Sequence, residues 1–385
     1  MKTEFIYLDH AAATPIDSRV LEAMQPYFTD LFYNPSSPYA PAVKVRQIYE
    51  DAKHQLAQQI GASRDEIIIT AGATESINLA FSVAKGGGVV TSNIEHHAVI
   101  AAARKNELTL VASDERGIIS ADTVAGAIKD DTILVSIALA NNELGTIQPI
   151  KDISQVIKKE RQKRLTAGNH NPIYFHSDAS QGVGQVDCNV ARLGLDMITI
   201  NSGKIYGPKQ VGMLWVASGV VIDPLIVGGG QERGLRSGTE NVPGVIGFAK
   251  ALSLATEHRR HEFERLSELR DWLENKLTSA FPESVVSGHL KHRLAGHLHI
   301  SFPGIDAERL IFSLENRGVL LATGSACAAN KGTRSHVLTA IGLSDELADG
   351  SMRITLGHLN DKNNIHMAAD IIIEEISKEY ARIGR

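Results

Sequence analysis

Ile173-Tyr174-Phe175-His176-Ser177-Asp178-Ala179-Ser180-Gln181, followed downstream by Thr199-Ile200-Asn201-Ser202-Gly203-Lys204-Ile205-Tyr206-Gly207-Pro208-Lys209, decides how this chain is read. The run I-Y-F-H has the apolar character of a buried strand, so Asp178 falls at its carboxyl end. Lys204 is flanked by small residues and a Gly-Pro pair, which marks a turn that excludes bulky side chains. Loops just beyond strand ends are where α/β sheets bind ligands. An amine and a carboxylate at one such rim suit pyridoxal phosphate. The lysine forms a Schiff base with the aldehyde, and the aspartate keeps the pyridine nitrogen protonated so that the ring accepts electrons.

Outward from this pair, short β-rich runs alternate with amphipathic stretches. Strands are expected at Glu66–Thr70, Val89–Asn93, Thr109–Ala112, Ile133–Leu139, Ile173–His176, Met197–Ile200 and Val211–Val216. Helical patterns at Ala42–Ile60, Ala121–Lys129 and Ile150–Arg164 separate several of them. That alternation predicts an α/β fold, a mostly parallel seven-stranded sheet covered by helices. Helical periodicity from Pro243 to Phe281 leads out of this domain. The remainder reads as α+β, with strands at Val285–Ser287, Leu298–Phe302, Val319–Ala322 and Met352–Leu356 and helices at Ala307–Asn316, Arg334–Ile341 and Ile365–Ile383.

With 385 residues and 43% hydrophobic content, the chain has material for a sizeable core and two domains. A net charge of −5 argues against a nucleic-acid-binding surface spread over the protein. Two distant cysteines make a disulfide framework unexpected and fit a reducing cytoplasm. No apolar run reaches membrane-spanning length, and M-K-T-E-F-I-Y-L-D-H has no signal-peptide core. The basic run Lys158 to Arg164 ends a helix, where cations complement the dipole, and reads as a solvated face. No metal-binding cluster is expected.

Ala71-Gly72-Ala73-Thr74-Glu75 follows an apolar strand and opens a helix. By itself it reads as a plain helix start capped by Thr74. Beside Asp178 and Lys204 it reads as a phosphate site, made of backbone N–H groups around Ala73 and the Thr74 hydroxyl. Cys327 lies in G-S-A-C-A-A-N-K-G, a small-residue stretch that suggests a loop, whereas Cys188 in Q-V-D-C-N-V has the context of a small buried hydrophobe. A reactive Cys327 requires a base or cation to raise its thiolate fraction, and Lys331 and Arg334 are near in sequence. Arg353, between apolar neighbours in S-M-R-I-T-L-G, has the planar fork that clamps a carboxylate.

Taken together, Y-L-D-H-A-A-A-T-P (Tyr7 to Pro15), N-P-S-S (Asn34 to Ser37), A-G-A-T-E-S (Ala71 to Ser76), E-H-H (Glu95 to His97), N-N-E-L-G (Asn141 to Gly145), G-G-G-Q-E-R-G-L-R-S-G-T (Gly228 to Thr239), T-G-S-A-C (Thr323 to Cys327) and S-M-R-I-T-L-G (Ser351 to Gly357) stand in one order. In this the sequence resembles the cysteine desulfurases of the NifS/IscS type, fold-type I pyridoxal phosphate enzymes. The resemblance implies a large cofactor domain over 16–258 and a small domain of 1–15 and 259–385 carrying the cysteine loop. It implies His96 on the pyridine ring and in proton transfer, Gln181 on the phenolic oxygen, and Asn142 and Asn34 on the substrate side. It also implies that Thr239 reaches a partner subunit's phosphate across a homodimer. L-cysteine is the implied substrate. Lys204 takes its α-proton, Cys327 receives its sulfur, and an acceptor protein takes the persulfide sulfur onward. A selenocysteine lyase, a class V aminotransferase and a weakly active sulfur-transfer scaffold are the alternatives. The family's Ser-x-His-Lys is here Asn201-Ser202-Gly203-Lys204, with Ser202 expected to compensate from one position over. The chain closes soon after its last helix, in Y-A-R-I-G-R, where members that dock a scaffold carry a longer tail.

Overall fold

The computed structural model describes residues 5–324 and 334–384. Strand β1 (Ile6–Tyr7) comes first, and the chain then builds a seven-stranded sheet from β2 (Ile67–Thr70), β3 (Gly88–Ser92), β4 (Glu107–Val111), β5 (Thr132–Ser136), β6 (Tyr174–Asp178), β7 (Met197–Asn201) and β8 (Gly212–Val216). Their order is β2-β8-β7-β6-β5-β3-β4, parallel from β7 through β4, with β8 antiparallel to both neighbours. All seven expected strands are present, shifted by a few residues at their ends.

Successive residues explain why the sheet is buried on both sides. Val90, Val135, Ile198, Met213 and Trp215 enter one apolar core, while Val89, Leu134, Met197 and Leu214 enter another. Side chains alternate across a strand, so this division means that helices cover both faces. Parallel strands end together, and the residues after β3, β5, β6 and β7 therefore share one edge. Beneath it Ser136, His176 and Thr199 form a hydrogen-bonded ladder, at 2.8 and 2.9 Å to the two ring nitrogens. Full burial pushes the His176 pKa down to about 3, so it is a neutral structural group.

The helical pattern after Pro243 is one continuous helix, Val242–Ala280. Leu252 and residues before it pack into the sheet core, whereas Leu266, Leu269, Leu273 and Leu277 pack into a second one. That second core lies against an antiparallel sheet in the order β12-β13-β10-β9, built from β9 (Val285–Ser287), β10 (His297–Ser301), β12 (Ala322–Thr323) and β13 (Ser351–Thr355). The single strand expected at Val319–Ala322 is two: β11 (Val319–Leu320) pairs with β1, and β12 pairs with β13. Leu8 is buried in this second core, so the first residues described fold with the last part of the chain.

The basic run is divided: Lys158, Lys159 and Lys163 face solvent as expected, while Arg161 and Arg164 turn inward. Arg164 is 3% exposed and donates to the carbonyls of Thr132, Lys129 and Asn171, and Arg161 donates to Ile173 O and Asp196. The long arginine stems reach from helix Ile150–Thr166 to carbonyls of neighbouring segments at Lys129, Thr132, Asn171 and Ile173. No helix among the described residues is long and apolar enough to cross a membrane.

Candidate active site

The shared strand edge opens into a cleft of about 880 Å³. His96 follows β3, Asn142 follows β5, Asp178 and Gln181 lie at and after the end of β6, and Asn201 and Lys204 lie at and after the end of β7. Ala73 and Thr74 close one side, and Arg353 of β13 enters from the other core. The sheet thus gathers residues distant in sequence because their strands end in register.

Lys204 Nζ donates to the carbonyls of Ala11 (2.6 Å) and Ala12 (2.7 Å). Gln181 Nε2 donates to the same Ala11 oxygen at 3.0 Å. Asp178 Oδ1 accepts from Ser180 N at 2.9 Å and Ser180 Oγ at 2.6 Å, which fixes the carboxylate plane at the cleft. His96 caps helix His97–Ala103, its Nδ1 accepting from Ala98 N at 3.1 Å. Desolvation lowers its pKa, with Lys204 and His97 adding to the effect and Asp178 opposing it, so the neutral imidazole is favoured. His97 instead faces His336, with ring centroids 4.7 Å apart.

Two acids to which the sequence reading gave no role stand here, Glu95 buried and Asp9 partly buried. Glu95 accepts from Ser92 Oγ (2.6 Å) and Ala138 N (3.0 Å), tying the loop after β3 to the loop after β5. Burial pushes its pKa up to about 8. Asp9 pairs with Arg353 Nη2 at 2.7 Å, and Arg353 Nη1 donates to Asn142 O at 3.4 Å. Arg353 Nε is buried with no partner among the described residues, which leaves a donor for an incoming carboxylate. Asp9 stands in the Tyr7 to Pro15 block, but 344 positions separate it from Arg353 and no local signal links them.

Ser202 and Asn34 are not at this cleft, and Thr239, expected at a partner's phosphate, lies away from it as well. Ser202 is fully buried and its Oγ points at Gly207, where an added Cβ would lie 2.1 Å away. Asn201, the last residue of β7, lines the cleft, whereas Ser202 opens the tight turn Ser202–Lys204 with its hydroxyl in the interior, so it does not stand in for the family's serine. Asn34 is exposed, and its Oδ1 closes a turn by accepting from Ser36 N at 2.9 Å. Thr239 is exposed and lines a separate cavity with Tyr49, Thr70 and Gln210. Thr74 is not a helix cap: Gly72 holds that position with φ 131°, and no side chain caps the helix there. Cys327 and Lys331 lie outside the described residues. Arg334 is held by Asp345 and Asp349 at 3.0 and 2.8 Å, which neutralises it as an activating charge. Cys188 is buried, and desolvation pushes its thiol up to about 12.

The sequence pattern described as Aminotransferase class-V matches residues 6–367. The chain belongs to the class-V aminotransferase family. Within this family it is similar to a cysteine desulfurase IscS from Dictyoglomus turgidum, 40% identical over 98% of this chain and 96% of that protein. A cysteine desulfurase IscS from Methanosarcina thermophila is also 40% identical, over 97% and 92%. Among solved structures, a NifS-like protein superposes with a TM-score of 0.89 at 33% identity, covering 97% of this chain and 100% of its own. SspA in complex with cysteine gives 0.76 at 34% identity, over 91% and 98%. Class-V aminotransferases are pyridoxal phosphate-dependent, and the cleft fits that cofactor. It offers a turn lysine for an aldehyde and a strand-end carboxylate for a pyridine nitrogen. Helix Ala73–Phe81 begins at the cleft without a capping side chain, which leaves first-turn N–H groups for a phosphate.

Proposed function

We propose that the protein is a cysteine desulfurase, converting L-cysteine to L-alanine with a persulfide on Cys327. The sulfur would pass to an acceptor protein, for iron–sulfur cluster assembly or another thio-cofactor pathway. The convergence of Lys204, Asp178, Gln181, His96, Asn142 and Arg353 on one cleft carries the reading. The desulfurase names of relatives at 40% identity support it. The test is to incubate the protein with L-cysteine and quantify products. Alanine and sulfide in equal amounts are expected when a thiol reductant is present. A keto acid formed from amino donors, without sulfur release, would make it an aminotransferase instead.

In this reading, Lys204, Asp178, Gln181, His96, Ala73 and Thr74 hold pyridoxal phosphate, which when bound supplies an electron-accepting ring. Arg353 binds the carboxylate of cysteine, with Asp9 fixing the guanidinium plane and Asn142 beside it. The Lys204 amine removes the α-proton. Cys327 thiolate takes the substrate sulfur as the carbon–sulfur bond breaks. Protons returned to Cβ and Cα complete alanine, and neutral His96 is placed to carry one of them.

The reading includes a homodimer in which Thr239 contributes to the partner's phosphate site. The solvent-facing position of Thr239, away from its own cleft, supports this. Sedimentation at micromolar concentration is expected to show a dimer; a fully active monomer would remove Thr239 from the site. We further infer a large domain over 16–258, a small domain of 1–15 and 259–385, and a cytoplasmic location. The passage of helix Val242–Ala280 from one core to the other near the inferred boundary supports the division.

A further inference from the structure

The site has to balance a phosphate carrying close to two negative charges. A helix N-terminus supplies only about half a unit of positive charge. Three described cations line the cleft: Lys204, Lys209 and Arg353. Lys204 is committed to the aldehyde, and Arg353 is paired with Asp9. Lys209 remains.

Its position follows from the sheet register. Gly212 on β8 pairs with Thr70 on one side and Asn201 on the other. Lys209 and Gln210 precede Gly212, so they sit between the Gly72–Thr74 turn and the end of β7. Gly212 also packs so closely on Gly72 that an added Cβ would meet Gly72 Cα at 2.8 Å. At Gly203, by contrast, a Cβ would meet Asn201 Oδ1 and Lys209 Cγ at 3.7 Å, an ordinary contact. The volume given up by the missing histidine therefore adjoins the Lys209 stem. Gln210 holds φ at 60°, a left-handed conformation that non-glycine residues rarely adopt, and it too lines the cleft. Strain of this kind gathers at ligand clamps. Asn201 Oδ1 accepts from Gly203 N at 3.2 Å, which turns the rest of its amide outward as a donor.

We propose that Lys209, assisted by the Asn201 and Gln210 amides, holds the phosphate end of the cofactor in place of the family's serine and histidine. Lys209 Nζ now donates to Thr14 O at 3.1 Å, and its exposed, flexible stem allows the ammonium to exchange that carbonyl for an anion. A lysine binds phosphate as a point charge and needs no fixed fork geometry.

The proposal rests on the cofactor reading of the cleft and is independent of the desulfurase reaction. Its test uses the full chain freed of cofactor and two probes, pyridoxal phosphate and pyridoxal, which lacks the phosphate. Lys209→Ala is expected to weaken pyridoxal phosphate between about tenfold and a hundredfold, the range of one charge-assisted hydrogen bond, and to leave pyridoxal within about twofold. Lys209→Arg is expected to retain most of the affinity. Gly203→His placed in the Lys209→Ala background is expected to recover it, since the space at Gly203 accepts a side chain. Equal losses for both probes, an unchanged affinity for pyridoxal phosphate, or no recovery in the double variant would each overturn the assignment. If the unsubstituted chain binds both probes alike, the ring site stands and the phosphate assignment falls. If it binds neither, the cofactor reading falls with it.

Discussion

Lys204→Ala is expected to abolish turnover and to remove the visible absorbance of lysine-bound cofactor. The amine has two tasks in the proposed reaction, holding the cofactor covalently and removing the α-proton. Proton transfer by a positioned group contributes about 10²–10⁴-fold by itself, and losing the covalent link lowers activity further. The fold should survive. Lys204 is only half-buried and its Nζ bonds are to the Ala11 and Ala12 carbonyls, which water can satisfy once the cleft is widened. An absorption spectrum, a far-ultraviolet dichroism spectrum and an alanine assay on the same preparation separate loss of chemistry from loss of fold. Normal activity in the folded variant would remove Lys204 from the site. Lys209 lies five positions along the same turn, so Lys209→Ala is the natural comparison: weaker retention of cofactor, but absorbance restored when cofactor is in excess.

The sheet was legible because its strands carry a two-sided signal. Val89-Val90, Leu134-Val135 and Met197-Ile198 are apolar at adjacent positions in short β-rich runs, the pattern of a strand buried on both faces. The cleft was legible for a related reason. Asp178 and Lys204 each follow such a run, and strand ends that share a direction share an edge. Contacts between remote segments were not legible. Asp9 lies opposite Arg353 because β1 joins β11 and Asp9 bridges to Thr355, and neither pairing leaves a mark in local composition. The inward turn of Arg161 and Arg164 depends on the carbonyls of Lys129, Thr132, Asn171 and Ile173 that other segments bring alongside the helix, a property of the packed structure. Ser202 was misread because the turn after β7, and not the strand, sets its direction. The strand ends at Asn201 and Ser202 opens a tight turn in which its hydroxyl packs against Gly207, a contact that local composition does not announce.

The two cysteines give the most discriminating contrast. Cys188→Ala is expected to keep most activity. Cys188 is 6% exposed, its Sγ rests 3.7 Å from the Val186 carbonyl, and its thiol is pushed up to about 12 by burial. At neutral pH it holds essentially no thiolate, and the thiolate is the nucleophile. Removing one small side chain from a core costs about 1 kcal/mol, a loss a protein of this size tolerates. Cys327→Ala is expected to behave in the opposite way. The described chain on either side of the segment is anchored beside the cleft: Ala322 pairs with Arg353, and His336 Nε2 bonds the carbonyl of Glu95 at 2.9 Å, next to His96. In the proposed reading cofactor binding depends on Lys204, Asp178 and Thr74, none of which involves a thiol, so the variant should keep the holoenzyme spectrum and still change absorbance when cysteine is added. Persulfide formation and sulfur transfer to an acceptor should be lost. Mass spectrometry after exposure to L-cysteine reads the outcome directly, as one added sulfur on the peptide containing Cys327 in the unsubstituted chain and in Cys188→Ala, and none in Cys327→Ala. A persulfide formed at the unsubstituted rate in Cys327→Ala, or its disappearance in Cys188→Ala alone, would show that the sulfur takes another route and that the desulfurase mechanism argued for this cleft is wrong.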